Sequence, residues 1–451
     1  MAGGVVSPVR GGVRNTPGSP GSPGSPCAAG PCAALAQAEA AVAAAARLQS
    51  ARRLDSPDAD AGAARVLREA LEAAARRVAR VRGMGRAARP RVLLLEGRLA
   101  ALRGEAQAEE LLGRAVKLDP LAGAAWNALA ELYWSRGALG EARDCLEACL
   151  EIVPGDARSL RNLSLLLRKM GEGPEERVRL ALASVARAKE AVALDAADGE
   201  SWYVLGNAYL SIFFAVSHDG RDLDRALKAY ARAEQLAAKL EDPGDLYYNR
   251  AQVYGYLEDF AAARADYAQA QRLDPRLPCE ERVAAIARKA AASAELIARK
   301  GHLKPKRLAE IIRTLGDDCA GDQPLAFAQA QGAACARAVA DLAPGENRGR
   351  RIDLKVLGPL VRSTEPPVSF LAADRDGRLV GLSVYHLDAS VLARVRPDRD
   401  RVTLLEPFLA EVDFQGASYT LLQLRYPMQF FVNGEALTAQ IAHSVMGSTS
   451  C

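Results

Sequence analysis

Histidine is nearly absent from this chain: His218, His302, His386 and His443 are the only four in 451 residues. None lies in an H-E-x-x-H pattern, the spacing that puts two imidazoles on one helix face for zinc. The eight cysteines, at 27, 32, 145, 149, 279, 319, 335 and 451, include no Cys-x-x-Cys pair. Cys145 and Cys149 share a helix face at i, i+4, but as metal ligands they would need two further partners. Packing in a core is therefore expected of them, and free thiols in a reducing compartment. There is no G-x-S-x-G elbow and no Walker loop. The expectation is a protein that is not an enzyme and needs no cofactor or metal. No apolar run reaches the ~18–20 residues of a membrane span, and no apolar segment near the N-terminus precedes a cleavage site. Neither membrane insertion nor secretion is expected. Lysine is missing from residues 1–90, where 13 arginines face 6 acids, a local charge of +7 in a chain of net +4. The N-terminal part thus presents a basic face suited to nucleic acid or an acidic partner, or simply to solvent.

What is present is mostly helical. Residues 1–32 are low in complexity, with GSPGSPGSP at their centre; Gly, Ser and Pro bury too little surface to offset ordering entropy, so a disordered tail is expected. An Ala-rich helical pair follows over 33–89, broken at Asp55-Ser56-Pro57. The stretch Ser201–Leu210 then sets the architecture. Trp202, Leu205, Gly206 and Tyr209 fall at i, i+3, i+4 and i+7 and spell W-x2-L-G-x2-Y, the opening of a tetratricopeptide repeat. Such a helix cannot bury its apolar face alone, so it requires neighbours. They are present. Trp126, Leu129, Ala130, Tyr133, Ala142, Leu146 and Pro154 match over 123–156, and Tyr247, Ala251, Tyr254, Ala263, Tyr267, Ala270 and Pro275 over 244–275. With Leu93–Pro120, and with units at 160–196 and 202–238 that each hold an insertion (GEGPEERV, SHDGRDLD), five repeats span about 90–275. A polar-faced capping helix completes a solenoid over 90–300, and HLKPKRLAEIIRTLG forms a basic amphipathic helix over 301–316.

In this repeat the first helices line the concave surface, through positions two, five, six, nine, twelve and thirteen. Those offsets select Asn127, Glu131, Asn162, Arg168, Lys169, Tyr203, Asn207, Asp245, Tyr248, Asn249, Gln252 and Tyr256. An Asn amide can hold a peptide backbone through donor and acceptor together. Arg168 can grip a carboxylate and Asp245 a guanidinium, so the groove suits a short ligand bearing both charges. Beyond Gly316 the apolar period changes to two. Strands are expected at Leu379–Leu387, Val402–Glu406, Ser418–Leu424 and Met428–Val432, with turns at Asp374–Gly377 and Phe414–Ala417. Residues 317–451 therefore read as a small antiparallel β-barrel of the OB-fold kind. Tyr385, Tyr419, Tyr426, Phe430 and Phe431 are either core residues or stacking faces for single-stranded nucleic acid; the sparse Lys and Arg between them favour core or protein contact. The expected fold class is α+β multidomain: an all-α tetratricopeptide-repeat solenoid followed by that barrel.

With AEELLGRAVKLDP, AAWNALAELYW, LRNLSLLLR, SWYVLGNAYLS, DLYYNRAQVY and FFVNGEAL in place, the chain resembles the Strap family, tetratricopeptide-repeat proteins with a C-terminal OB-fold and factors of tubulin autoregulation. The resemblance covers about 90–310 well and 320–437 loosely, and the tail at 1–32 lacks the acidic start associated with that family. It implies an adaptor, cytoplasmic and nuclear, that reads the Met-Arg-Glu N-terminus of nascent α- and β-tubulin at the ribosome. It also implies recruitment of a deadenylase complex through a linking adaptor, with decay of the tubulin message. The alternative it implies is a stress-responsive nuclear cofactor scaffolding a histone acetyltransferase and p53. The family's groove arginine falls on Arg168 and its aspartate on Asp245; its groove glutamate falls on Cys279 or Glu280. Its ribosome-facing basic segment falls on Lys304, Lys306 and Arg307.

Overall fold

The computed structural model describes residues 31–53, 61–217, 219–236, 240, 243–315, 333–361, 367–385, 395–426 and 429–436. Most of the tail at 1–32, the residues His218, His386 and His443, and parts of two expected strands (386–387 and 428) lie outside them.

Helices α1 (Pro31–Arg53) and α2 (Ala61–Val81) pack on α3 (Arg89–Leu102) through Leu35, Val42, Val78, Val81, Val92 and Leu95. From α3 onward the chain stacks helix pairs: α3 with α4 (Ala108–Leu118), α5 (Gly123–Ser135) with α6 (Leu139–Ile152), and α7 (Ala157–Leu167) with α8 (Pro174–Leu194). The pairs α9 (Gly199–Ile212) with α10 (Gly220–Gln235) and α11 (Pro243–Tyr256) with α12 (Phe260–Leu273) follow, and α13 (Cys279–Ala298) closes the stack. Glycine is needed where the two helices of a pair cross. A Cβ on Gly206 would stand 2.6 Å from the fully buried Tyr230 ring, and one on Gly97 2.7 Å from Leu112. The two insertions are largely helix rather than loop. Pro174 starts α8 two turns early, its fixed φ suiting the first helical position. In the next repeat α9 runs on into a π-helical turn, Phe213–Ser217.

Short α14 (Pro305–Arg313) buries Leu308 and Ile311. The C-terminal sheet comprises β1 (Ala334–Ala336), β2 (Gly345–Glu346), β3 (Arg350–Val361), β4 (Val368–Ala373), β5 (Leu379–Val384), β6 (Arg401–Leu405), β7 (Phe408–Phe414), β8 (Ala417–Leu424), β9 (Phe430–Val432) and β10 (Glu435–Ala436). Their order is β10-β9-β6-β3-β4-β5-β8-β7-β2, with β1 beside β3. The sheet is mixed rather than wholly antiparallel, since β1 with β3 and β5 with β8 pair in parallel. Its core is formed by Ile352, Leu354, Val380, Leu382, Val402, Leu422 and Phe430, among others. Tyr385, Tyr419, Phe430 and Phe431 are all buried, so none of the four offers a stacking face; Tyr426 is half-buried with its hydroxyl on Asp224.

The sheet is docked onto the end of the solenoid. Phe260 of α12 and Ala290 of α13 pack with Val412, Phe414, Tyr419 and Leu421. The Tyr385 ring joins the solenoid cluster of Phe213, Leu223 and Leu246, and its hydroxyl donates to the buried Glu258 at 3.0 Å. Lys289 balances Glu258 at 2.7 Å. Gln423 Nε2 donates to the Leu257 carbonyl at 2.7 Å. The Gly220 N–H donates to the Arg425 carbonyl at 2.9 Å. A Cβ at Gly220 would lie 2.6 Å from that oxygen. Gly220→Ala should therefore cost about 1–3 kcal/mol, the usual range for overpacking. Urea unfolding of the variant measures it, and a change under ~0.5 kcal/mol, typical of an indifferent surface site, would mean the seam does not close there.

Cys149 is fully buried and Cys145 partly so, as packing residues; burial pushes the Cys145 thiol up to about 11. Cys32, Cys145, Cys149 and Cys279 are free thiols, whereas Cys335 is disulfide-bonded, which corrects the expectation of free thiols at that position.

Candidate functional site

Polar contacts link the first helices α5 and α7, α7 and α9, and α9 and α11, and join α11 to the start of α13. Asp156 caps α7 by accepting from the Ser159 N–H at 2.8 Å, which satisfies one orphan donor of the first turn. Asn127 on α5 reaches that cap: its Nδ2 donates to Asp156 at 2.9 Å, to Ser159 Oγ at 2.8 Å and to the Gly123 carbonyl at 2.9 Å. Asn162 Nδ2 donates to Asn127 Oδ1 at 2.7 Å. One repeat on, Arg161 of α7 pairs with Asp198, the cap of α9. Asn249 of α11 donates to Tyr203 Oη at 2.9 Å and to Asn207 Oδ1 at 3.4 Å. Asn207 Oδ1 also accepts from Tyr230. Finally Arg282 of α13 donates to Tyr248 Oη at 3.3 Å.

The expected groove residues thus separate by exposure. Arg168, half-buried, is the C-cap of α7. Asp245, half-buried, stands in the first turn of α11, where a helix N-terminus favours an anion. They lie on first helices two repeats apart, with α9 between. Asn162 and Tyr248 are half-buried, and Asn207 and Asn249 are buried at 8% and 9% exposure. Asn127, at 2% exposure, corrects the expectation that it holds ligand backbone: its amide is occupied on both ends, and it acts as a strut between repeats. Tyr256 is also corrected. Its hydroxyl donates to the Tyr385 carbonyl at 3.4 Å and its ring meets Phe213 and Phe214 edge-on, so it belongs to the seam with the sheet. Burial drives its phenol far above the usual range. Glu131 is held between Arg158 at 3.0 Å and Arg98 at 3.8 Å. Of the two candidates for a further groove acid, Cys279 is buried with its thiol pushed up to about 11 by desolvation, while Glu280 is exposed in the first turn of α13.

Arg282 was not foreseen; its one sequence signal is its place in the first turns after Pro278. The capping pairs Asp156–Ser159 and Asp198–Ser201 were legible as D-x-x-S before an apolar run. Lys304 is the N-cap residue of α14, and Lys306 and Arg307 are exposed in its first turn. Arg307 is shared between Glu310 at 3.0 Å and Asp398 at 3.7 Å. Among the described residues no helix is long and apolar enough to cross a membrane.

Comparison with known proteins adds names to this geometry. A family model described as the tetratricopeptide repeat protein 5 OB fold domain matches residues 335–446. A tetratricopeptide repeat model matches residues 123–156 and 244–277. The chain is 33% identical over 341 residues to tetratricopeptide repeat protein 5 of Mus musculus, covering 73% of this chain and 76% of the mouse protein. It is 31% identical over 376 residues to the Homo sapiens protein of that name, covering 80% and 84%. Among solved structures, a thermophilic TPR protein of Thermus thermophilus is 20% identical with a TM-score of 0.37, covering 44% of this chain and 98% of that one. The human IFIT1 dimer with PPP-AAAA is 13% identical with a TM-score of 0.40, covering 60% and 56%.

Proposed function

The chain belongs to the tetratricopeptide repeat protein 5 family, a protein-binding solenoid with an OB-fold domain, and on that premise we propose that it reads the N-terminal peptide of nascent α- and β-tubulin. The observation that supports this reading is that Arg168 and Asp245, two opposite charges, stand at the ends of first helices two repeats apart, with half-buried Asn162 on the same helix as Arg168. A peptide beginning Met-Arg-Glu has the complementary charges one residue apart. The reading occurs at the ribosome, and the bound protein recruits, through a linking adaptor, a deadenylase complex that shortens the tubulin message. Fluorescence anisotropy with a labelled Met-Arg-Glu-Ile peptide against its scrambled counterpart tests the first step. Equal binding of the two would remove it. A chain found only in nuclear complexes with a histone acetyltransferase and p53 would support the cofactor reading instead.

Lys304, Lys306 and Arg307 are the proposed contact to ribosomal RNA. Cations that neutralise phosphates release counterions, so affinity falls steeply with salt. Lys304→Glu/Lys306→Glu should weaken ribosome co-sedimentation about tenfold or more at low salt and flatten its salt dependence, since each lost phosphate contact removes about one from the salt slope. Peptide binding should not change. Arg307 is left intact because it also holds Glu310 and Asp398. Unaltered sedimentation across a salt titration would place the ribosome contact elsewhere.

A further inference from the structure

We propose that the cleft between α14 and the sheet binds a small phosphorylated polyol. The cleft holds about 550 Å³ and is lined by Thr314, Lys355, Asp398, Arg399, Arg401 and Asn433. That volume lies within the ~300–1,000 Å³ typical of small-molecule sites. Three cations face one carboxylate. Lys355, on β3, is 3% exposed, and its Nζ donates to the Arg399 carbonyl at 2.7 Å. Arg399 is exposed at the rim, its guanidinium outside every ion pair and side-chain hydrogen bond of the described residues. Among the described residues Arg401 Nε is buried with no hydrogen-bond partner, and so is Asp398 Oδ1. A buried donor and a buried acceptor left open in one cleft each cost free energy, and such groups need an explanation.

The turn before β6 sets the carboxylate's position. Asp398 has φ of 64°, in the left-handed region that Asp tolerates in turns. Its N–H donates to the Val356 carbonyl at 2.9 Å. Asp398 Oδ2 faces Arg307 at 3.7 Å, while Oδ1 has no such neighbour. The adjacent Asp400 accepts from Arg396 and Asn433, and its charge also acts on Lys355.

These groups define the ligand by chemistry. Lys355, Arg399 and Arg401 can donate charge-assisted hydrogen bonds to phosphate oxygens. Asp398 Oδ1 only accepts, so the phosphate's neighbour must be a donor, as a hydroxyl is. Burial lowers the Lys355 pKa, with Asp400 and Asp398 opposing it and Arg401 adding to it. A phosphate monoester on a hydroxylated ring satisfies the set, whether it comes from the inositol phosphates or from ribose 5-phosphate. An RNA strand fits less well, because the sheet's Tyr385, Tyr419, Phe430 and Phe431 are buried and offer no stacking platform.

Isothermal titration calorimetry on the full chain tests the proposal, with inositol 1-phosphate, ribose 5-phosphate, free inositol, inorganic phosphate and a 5′-phosphorylated RNA decamer as probes. One of the two polyol phosphates should bind with a stoichiometry of one, at least tenfold tighter than inorganic phosphate, and free inositol should give no heat. The tighter of the two identifies the source. Arg399→Ala should lower that affinity at least tenfold without shifting the unfolding midpoint, since Arg399 supports no core. Asp398→Asn should reduce the margin of the polyol phosphate over inorganic phosphate. The proposal is overturned by equal binding of polyol phosphate and inorganic phosphate, by tighter binding of the RNA, by an unaltered affinity in Arg399→Ala, or by no binding of any probe, which would leave water as the cleft's occupant.

Discussion

Arg168→Ala and Asp245→Ala should each weaken binding of the Met-Arg-Glu-Ile peptide at least tenfold, with thermal stability nearly unchanged. In the proposed reading the ligand's Glu would pair with Arg168 and its Arg with Asp245. Removing one member of a desolvated charged pair typically costs ~2–5 kcal/mol, much of it because the other charge remains buried and unpaired. Each ~1.4 kcal/mol is a factor of ten, so tenfold is the lower bound. Stability should change little because both side chains are half-buried at helix ends. A charge-reversed peptide, Met-Glu-Arg-Ile, adds a sharper readout: Arg168→Asp/Asp245→Arg should prefer it over the natural order. Affinities within twofold of the parent for both alanine variants would show that the charged ligand lies elsewhere.

Arg250→Ala should be among the most destabilising single substitutions in the solenoid, at about 3–5 kcal/mol, the range for breaking a buried ion pair from one side. Arg250 leaves α11 with its guanidinium on both oxygens of Asp266 of α12, at 2.6 and 2.8 Å, and on both of Glu234 of α10, at 2.6 and 3.1 Å. It therefore ties two neighbouring repeats together. Burial alone would lower the Arg250 pKa, yet the bonds to Asp266 and Glu234 raise it on balance. Asp266, at 7% exposure, cannot rehydrate when its partner is removed. Arg250→Met/Asp266→Leu should recover most of the loss, because a well-packed apolar pair can replace a buried ion pair. Urea unfolding of the three variants separates the cases, and a loss under ~1 kcal/mol in Arg250→Ala, the range of exposed pairs, would mean that the pair behaves as if solvated.

The solenoid was legible because Trp202, Leu205, Gly206 and Tyr209 encode both a period and a crossing point. A repeat copies its spacing along the chain, so one clear unit locates weaker ones. Strand β3 was not legible. Asp353 and Lys355 interrupt its apolar residues, yet both are buried at 3% exposure. Asp353 is satisfied by Thr403 at 2.6 Å and Arg375 at 3.3 Å, and Lys355 by a carbonyl oxygen. Polar residues satisfied by partners fifty positions away disguise a buried strand as a surface one. Within the groove, the periodicity gave the face on which Asn127 and Tyr256 sit but not their depth. Asn127 is drawn under by the Asp156 cap, and Tyr256 by a sheet more than a hundred residues downstream.

The docking of the sheet on α12 and α13 has a mechanical consequence. Each repeat touches mainly its neighbours, so the solenoid behaves as a cantilever, clamped at the seam of Gly220–Arg425, Glu258–Tyr385 and Leu257–Gln423. Compliance accumulates with distance from a clamp. Helix α11 carries Asp245 at one end and meets the clamp at the other, through Tyr256. Arg168 stands two repeats further out, on the springier part of the beam. A ligand bridging the two residues must therefore hold the outer arm in place, and stiffening the α7–α9 joint should tighten its grip without touching either charge.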